Sequence, residues 1–446
     1  MISIYGYMKR LLKKMKNRVI NNASWIIGSR IVQAVFSLFI SMLTARYLGP
    51  GKYGLINYAS SIVAFVVPIM HLGINSVLVQ EIIKHPNEED VYVGTATSLS
   101  LLSAMLCILG TISFAVVANY GEKETILVCA LYSVLLIFQS FEMLQYWFQA
   151  KFLSKYTSIV SLVAYVVVSI YKIYLLTTGK SVYWFALSNA IDYLVIAIGT
   201  YILFHKLTHY KLKFSKDVGI HLVSIGKYYI ISDLMVTIFA QTDRIMLKEM
   251  VDNEAVGFYS AAVTCVLMTQ FIFGAILDSA RPAILEKKGV NNGQYELNMK
   301  RLYAIIIYLS LLQSICMTIL APLIIRILYG NSYTPTIPAL RIIVWYTTFS
   351  YLGAARNIWI LGEEKQQYLI PINVMGAGAN VMLNMCFIPF WGFNGAAFAS
   401  LITQVFTNVI TGFILKPIRR SNYLMFEAIS PRFVIAEIRK FFIWRK

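Results

Sequence analysis

The chain has 446 residues, 58% of them hydrophobic and only 13% charged, with a mean hydropathy of +0.66. A water-facing surface needs roughly 25% charged residues, so a soluble, disulfide-stapled or nucleic-acid-binding domain is excluded despite the net charge of +18. The apolar residues fall in blocks of about twenty, the length of a helix across a roughly 30 Å hydrocarbon core, and not in the ten-residue alternation of barrel strands; an all-α integral membrane protein is predicted.

Residues 1–21 read as a basic amphipathic segment. Leu11, Leu12, Met15 and Val19 keep helical spacing among Lys9, Arg10, Lys13, Lys14 and Lys16, as in a helix lying at a membrane surface. This segment leads straight into a full apolar span, so the first span is expected to stay in the mature protein. Six spans follow near 22–45, 55–80, 92–119, 125–149, 156–177 and 181–204, forming an N-terminal half at 22–204. A basic linker at 205–218 separates them from a second half at 219–416, with spans near 219–242, 255–279, 302–328, 336–361, 368–389 and 394–416. The connection at 281–301 reads as a polar surface loop. Residues 417–446 form a basic amphipathic tail in which Phe433, Ile438, Phe441 and Phe442 lie among Arg439, Lys440, Arg445 and Lys446.

Most of the 39 Lys and Arg residues fall on the side that holds the N-terminus. Cytoplasmic loops carry this excess, so both termini are expected in the cytoplasm, and the net charge becomes an insertion signal and an attraction to membrane lipid. Cys107, Cys129, Cys265, Cys316 and Cys386 all lie inside apolar blocks and read as small packed side chains rather than disulfide or metal sites. No metal site, cofactor site or catalytic constellation is read in the chain, and the absence of a GxxxxGK[ST] loop excludes ATP drive within it.

The two halves repeat weakly. One constant shift lays Gly28 and Arg30 near Gly226 and Lys227, and Ala45-Arg46 on Asp243-Arg244; after a short insertion Tyr53-Gly54 lies over Val256-Gly257. Further on, Trp147 falls on Trp359 and Tyr156 on Tyr368. About twelve helices in two six-helix halves of the same orientation would be related by an axis along the membrane normal, with the substrate site between them.

A charged side chain at a helix centre costs roughly 2.5–3.5 kcal/mol on insertion scales, so each is expected to face a polar cavity or a partner. Arg30 lies well inside its span and faces a cavity or snorkels; Lys227 is placed similarly, and Lys172 sits near a span end where it can snorkel. Arg46, Arg244, Arg341 and Arg356 lie near span ends, where headgroup contact is the ordinary role, yet the repeat pairs Arg46 with Arg244. Arg30, Arg244, Lys227 and Arg46 are the candidates for binding an anionic substrate, the arginines through bidentate guanidinium forks and Lys227 as a point charge. Asp192 and Asp233 are the acids nearest mid-span and the candidates for coupling to a proton or sodium gradient; a fixed salt bridge to Lys227 or Arg30 is the alternative. His71 is deep in a span beside Pro68 and Gly73, where the helix can break, and reads as a packed histidine or a proton relay. Trp147, Trp184 and Trp359 read as belt residues, and Glu88-Glu89-Asp90 as solvated charge.

The stretch Leu328-Tyr329-Gly330-Asn331-Ser332-Tyr333-Thr334-Pro335 with Ala339-Leu340-Arg341-Ile342 resembles the loop between the ninth and tenth helices of polysaccharide-type flippases. Asn384, Ile388-Pro389, Gly392 and Asn394-Gly395-Ala396-Ala397 are similar to that family's last helix turn, and Ala45-Arg46-Tyr47-Leu48-Gly49-Pro50 with Tyr53-Gly54 also fits. The resemblance is to the repeat-unit (O-antigen) flippases within the multidrug, oligosaccharidyl-lipid and polysaccharide (MOP) exporter superfamily. It implies transport of a polyprenyl-pyrophosphate-linked oligosaccharide across the bacterial inner membrane through a cationic lumen; the depths of Asp192 and Asp233 point to ion-coupled antiport, and docking of polysaccharide-assembly enzymes is the alternative to anchoring for the two amphipathic ends. A drug or cation exporter of the same superfamily is the alternative, and a membrane-embedded polysaccharide polymerase a more distant one.

Overall fold

A computed structural model describes the backbone of residues 2–433 and the side chains of residues 25, 28, 29 and 31–433. The side chains of the basic 1–21 segment and of Arg30, and the tail residues Ile438, Arg439, Lys440, Phe441, Phe442, Arg445 and Lys446, lie outside the described residues. The described chain is helical throughout, with no strand. This follows from the hydropathy: in a bilayer each backbone N–H and C=O must be satisfied within its own segment, which a helix does.

Eight helices among the described residues are long and apolar enough to cross a membrane, and Asn253–Leu267 with Gln270–Leu285, bent by 41°, are together long and apolar enough for a ninth. Two of the eight are merged pairs. Ile2–Met70 breaks at Gly49 (φ 73°) and the helix Leu369–Val405 breaks at Gly392 (φ 54°), in a left-handed conformation that costs glycine little. With Thr336–Gly362, a long but more polar helix, these breaks are compatible with twelve spans among the described residues.

Boundaries differ from expectation in three places. The second span ends at Met70, where Leu72 (φ 53°) and Gly73 (φ 66°) turn the chain into a short helix at Ile74–Ser76 and then Leu78–Lys84. The expected loop at 281–301 is largely helical: Gln270–Leu285 runs into it, and Asn291 starts Asn292–Leu328 by accepting from Gln294 N at 3.0 Å. The tail begins with a packed helix, Arg419–Ile429, in which Tyr303 and Ser421 hydroxyls meet at 2.6 Å and Arg420 forks onto Glu296 at 2.9 and 2.6 Å.

Contacts group the chain into two compact units, one of residues up to Leu48 with Leu55–Thr237, the other of Gly49–Gly54 with the chain from Ile238. The division falls inside Lys216–Met250 and not in the 205–218 linker. The linker is held against the start of Glu89–Ala118, where Lys213 N donates to Asp90 O at 3.3 Å and Ser215 N to Thr95 Oγ1 at 3.0 Å. The first unit packs Leu78, Met143, Trp147, Phe148 and Phe204 into its core. Its Gly73 abuts Gly226 so closely that a Cβ there would lie 2.0 Å from the Gly226 carbonyl oxygen.

Several residues read as surface features are interior. Glu89 is 3% exposed, accepts from Trp147 Nε1 at 2.8 Å and pairs with Lys151, while Asp90 pairs with Lys213 at 2.9 Å. Trp147 and Trp359 are buried, and of the three only Trp184 is exposed. Cys107, Cys129 and Cys265 are buried and free, whereas Cys316 and Cys386 are exposed and free.

The core of the second unit gathers Phe273, Tyr295, Tyr303, Tyr351, Trp359 and Ile418. A Cβ on Gly54 would lie 1.7 Å from Asn253 O, and one on Gly257 would lie 2.0 Å from Pro50 O, so the two glycines matched by the repeat meet backbone to backbone. Tyr333, fully buried, receives Tyr53 and Phe258 edge-on at 6.3 and 6.0 Å. The tyrosines of the 328–335 loop thus serve packing.

Candidate functional site

Among the described residues each unit holds a polar site inside apolar helices. In the first unit a cavity of about 480 Å³ is lined by Ser29 and Gln33, by Glu142, Gln145 and Gln149, and by four hydroxyl residues between 154 and 161. The lining positions recur three or four residues apart on each helix, so each presents one polar face to the same space. Glu142 also accepts from Gln139 Nε2 at 3.4 Å, and behind it the buried His71 places Nε2 3.7 Å from the carboxylate. Asn75 lies near both Tyr146, another lining residue, and Asp233, which places the mid-span acid beside the same cluster.

In the second unit Asp243 is 4% exposed and ringed by donors. Asn380 Nδ2 and Asn384 Nδ2 reach Oδ1 at 3.0 and 2.6 Å, and the Tyr259 and Ser400 hydroxyls donate to Oδ2. All four donors are neutral. No Lys, Arg or His lies within ion-pair distance of this carboxylate among the described residues. A buried carboxylate without a counter-charge is costly unless it holds a proton or a cation, so the site is chemically suited to exchanging one.

Arg356 is its basic counterpart. It is 4% exposed and donates from Nη1 to Thr407 O at 2.9 Å and from Nη2 to Asn408 Oδ1 at 3.2 Å, beside a π-helical turn at Phe406–Ile410. Headgroup contact, its expected role, is excluded by this burial.

The other candidates are dispersed. Arg46 is exposed in the first unit. Lys227 lines a separate apolar groove of about 440 Å³ with Leu99, Phe214, Ile220 and Val223. Arg244, in the second unit, donates from Nε to Ser260 Oγ at 3.0 Å and from Nη1 to Gln241 Oε1 at 2.8 Å. Asp192 leaves Oδ1 without a hydrogen-bond partner among the described residues, near Lys172, which reaches Asn189 Oδ1 at 3.4 Å. Arg30 follows Ser29, a cavity residue, in the chain.

Two signals for the missed residues lie in the sequence. The repeat sets Asp243 on Ala45, an acid where the other half has a small apolar residue, and the cavity lining shows as polar residues at helical spacing within apolar spans.

Residues 19–287, more than half of the chain, match the family described as polysaccharide biosynthesis protein. The chain belongs to that family. An uncharacterized membrane protein of Methanocaldococcus jannaschii is 24% identical over 428 residues, covering 88% of this chain and 82% of its own. Among solved structures, the lipid II flippase MurJ in an inward closed conformation matches with a TM-score of 0.70 at 13% identity, over 90% of each chain. An inward-facing multidrug resistance transporter of the MATE family in the MOP superfamily gives 0.65 at 14%, over 89% of this chain and 96% of its own. A MOP superfamily transporter from Pyrococcus furiosus gives 0.60 at 16%, over 91% and 96%. This member of the polysaccharide biosynthesis family is thus a multi-pass membrane protein with the fold of MOP transporters.

Proposed function

We propose that the chain is a flippase that moves a polyprenyl-pyrophosphate-linked oligosaccharide, of the O-antigen repeat-unit kind, across the bacterial inner membrane. The halves at 22–204 and 219–416 alternate access around the substrate, with both termini cytoplasmic. The observation that carries the reading is the polar cavity of about 480 Å³ within membrane-spanning helices of a polysaccharide biosynthesis family member. Such a cavity has no use in a purely structural bundle, where polar lining in hydrocarbon only adds cost.

Arg30, with Arg244, Lys227 and Arg46 as further candidates, attracts the pyrophosphate, and the prenyl tail stays in lipid. Exchange of a proton or a sodium ion at Asp243 supplies the coupling; its buried carboxylate with four neutral donors supports that role more strongly than Asp192 or Asp233. A drug or cation exporter is the second reading, favoured by the Glu142 carboxylate in the cavity, but the amide and hydroxyl majority of the lining fits a glycan better.

The test is transport by purified protein in liposomes, following a lipid-linked oligosaccharide and a lipophilic cation with and without imposed proton and sodium gradients. Gradient-dependent movement of the glycolipid alone is expected. Movement of the cation alone would turn the reading to the exporter.

A further inference from the structure

We infer that the cavity of the first unit is the subsite for the sugar ring next to the pyrophosphate, and that it reads a neutral, hydroxyl-bearing pyranose rather than the phosphates. The inference rests on the flippase reading. Its lining decides the chemistry. Gln33, Gln145 and Gln149 offer carboxamides that both donate and accept, and Ser158 and Ser161 offer hydroxyls that do the same. None of these five side chains is committed to a hydrogen bond with protein among the described residues. A sugar hydroxyl is likewise donor and acceptor, so such a wall can match a ring of them whichever way each is turned.

The charge of the site points the same way. Glu142 is the acidic lining residue, and no Lys, Arg or His is among the described lining residues. The Glu142 carboxyl group can hydrogen-bond sugar hydroxyls, and the described lining presents no cation to phosphate oxygens. The volume of about 480 Å³ lies within the roughly 300–1,000 Å³ of small-molecule sites. Ser29, a lining residue, is followed in sequence by Arg30, the candidate for the pyrophosphate, so one stretch of helix would serve both parts of the headgroup.

The experiment measures binding to the full-length protein in lipid nanodiscs with two probes: bare undecaprenyl pyrophosphate, and the same carrier bearing one neutral N-acetylhexosamine. The wild type is expected to bind the glycosylated carrier at least tenfold tighter. Gln145→Leu with Gln149→Leu should bring that ratio close to one and leave the bare carrier unchanged. Ser158→Ala with Ser161→Ala, a smaller change that keeps the helix packing, should reduce the ratio at least threefold and decides the matter if the Leu pair does not fold. A glycosylated carrier that binds no tighter than the bare one, or a ratio untouched by the variants, overturns the sugar subsite while leaving the flippase reading in place. If neither carrier binds to well-folded protein, the flippase reading fails and the subsite with it.

Discussion

Asn384 donates its side-chain amide to Asp243 across 2.6 Å, and Asn380, one helical turn earlier, reaches the same carboxylate oxygen at 3.0 Å. The two asparagines are four residues apart and so share a helix face. With Tyr259 and Ser400 on the other oxygen, they surround the buried carboxyl group with four neutral donors. Asp243→Asn removes the exchangeable charge in almost the same volume. It should cut gradient-driven transport in proteoliposomes at least tenfold, with abundance and elution profile close to wild type. Undiminished gradient dependence would remove Asp243 from the coupling.

The pyrophosphate role of Arg30 predicts a graded series. Arg30→Gln should leave membrane insertion intact and reduce glycan export strongly, whereas Arg30→Lys should keep part of the export, because the charge remains and the bidentate fork is lost. Export assayed in cells lacking the wild-type copy, normalised to protein level, is the measurement. Equal export by all three proteins would mean that Arg30 only anchors headgroups.

Backbone contact at Gly54 makes a stability prediction. A methyl group there would enter the space of Asn253 O, 1.7 Å away, whereas Gly110 has nothing within 4 Å. Overpacking of this kind costs about 1–3 kcal/mol. Gly54→Ala should therefore lower the melting temperature in detergent by several degrees and Gly110→Ala should not. Equal melting of both variants would show that the contact yields freely.

Glu81 sets an acid limit. Its buried carboxylate lies 2.8 Å from Lys84 Nζ and 2.9 Å from His221 Nε2, with His85 at 3.9 Å. Burial pushes its pKa up, but the hydrogen bonds from Lys84 and His221 outweigh this and hold it below the usual glutamate value of 4.5. A depressed carboxylate adds stability that is present above the unfolded-state value and is lost as pH falls through the folded one. The melting temperature of the wild type should thus fall more steeply below pH 4.5 than that of Glu81→Gln. Parallel acid limbs in the two proteins would rule out this contribution.

What the sequence by itself determined is what hydrocarbon enforces locally. Long apolar runs must be helices, because each helix satisfies its own backbone, and the breaks at Gly49 and Gly392 fall where glycine makes a left-handed turn cheap. The family was legible in the turns around those glycines, and Asn384 stood in one of the motifs. Only the tertiary structure decided which polar groups meet. Asp243 and Asn384 are 141 residues apart, Trp147 and Glu89 are 58 apart, and Arg356 finds Asn408 across 52. Hydropathy records that a helix is buried in lipid or protein but not how it is rotated. A polar stripe such as Gln145 and Gln149 therefore acquires a partner only when Ser158 and Ser161 are turned toward the same space. Glu89 and Arg356 were misplaced for the same reason: a charge near a span end goes to water or headgroups by default, and only a neighbour from a distant helix can make burial the lower free energy.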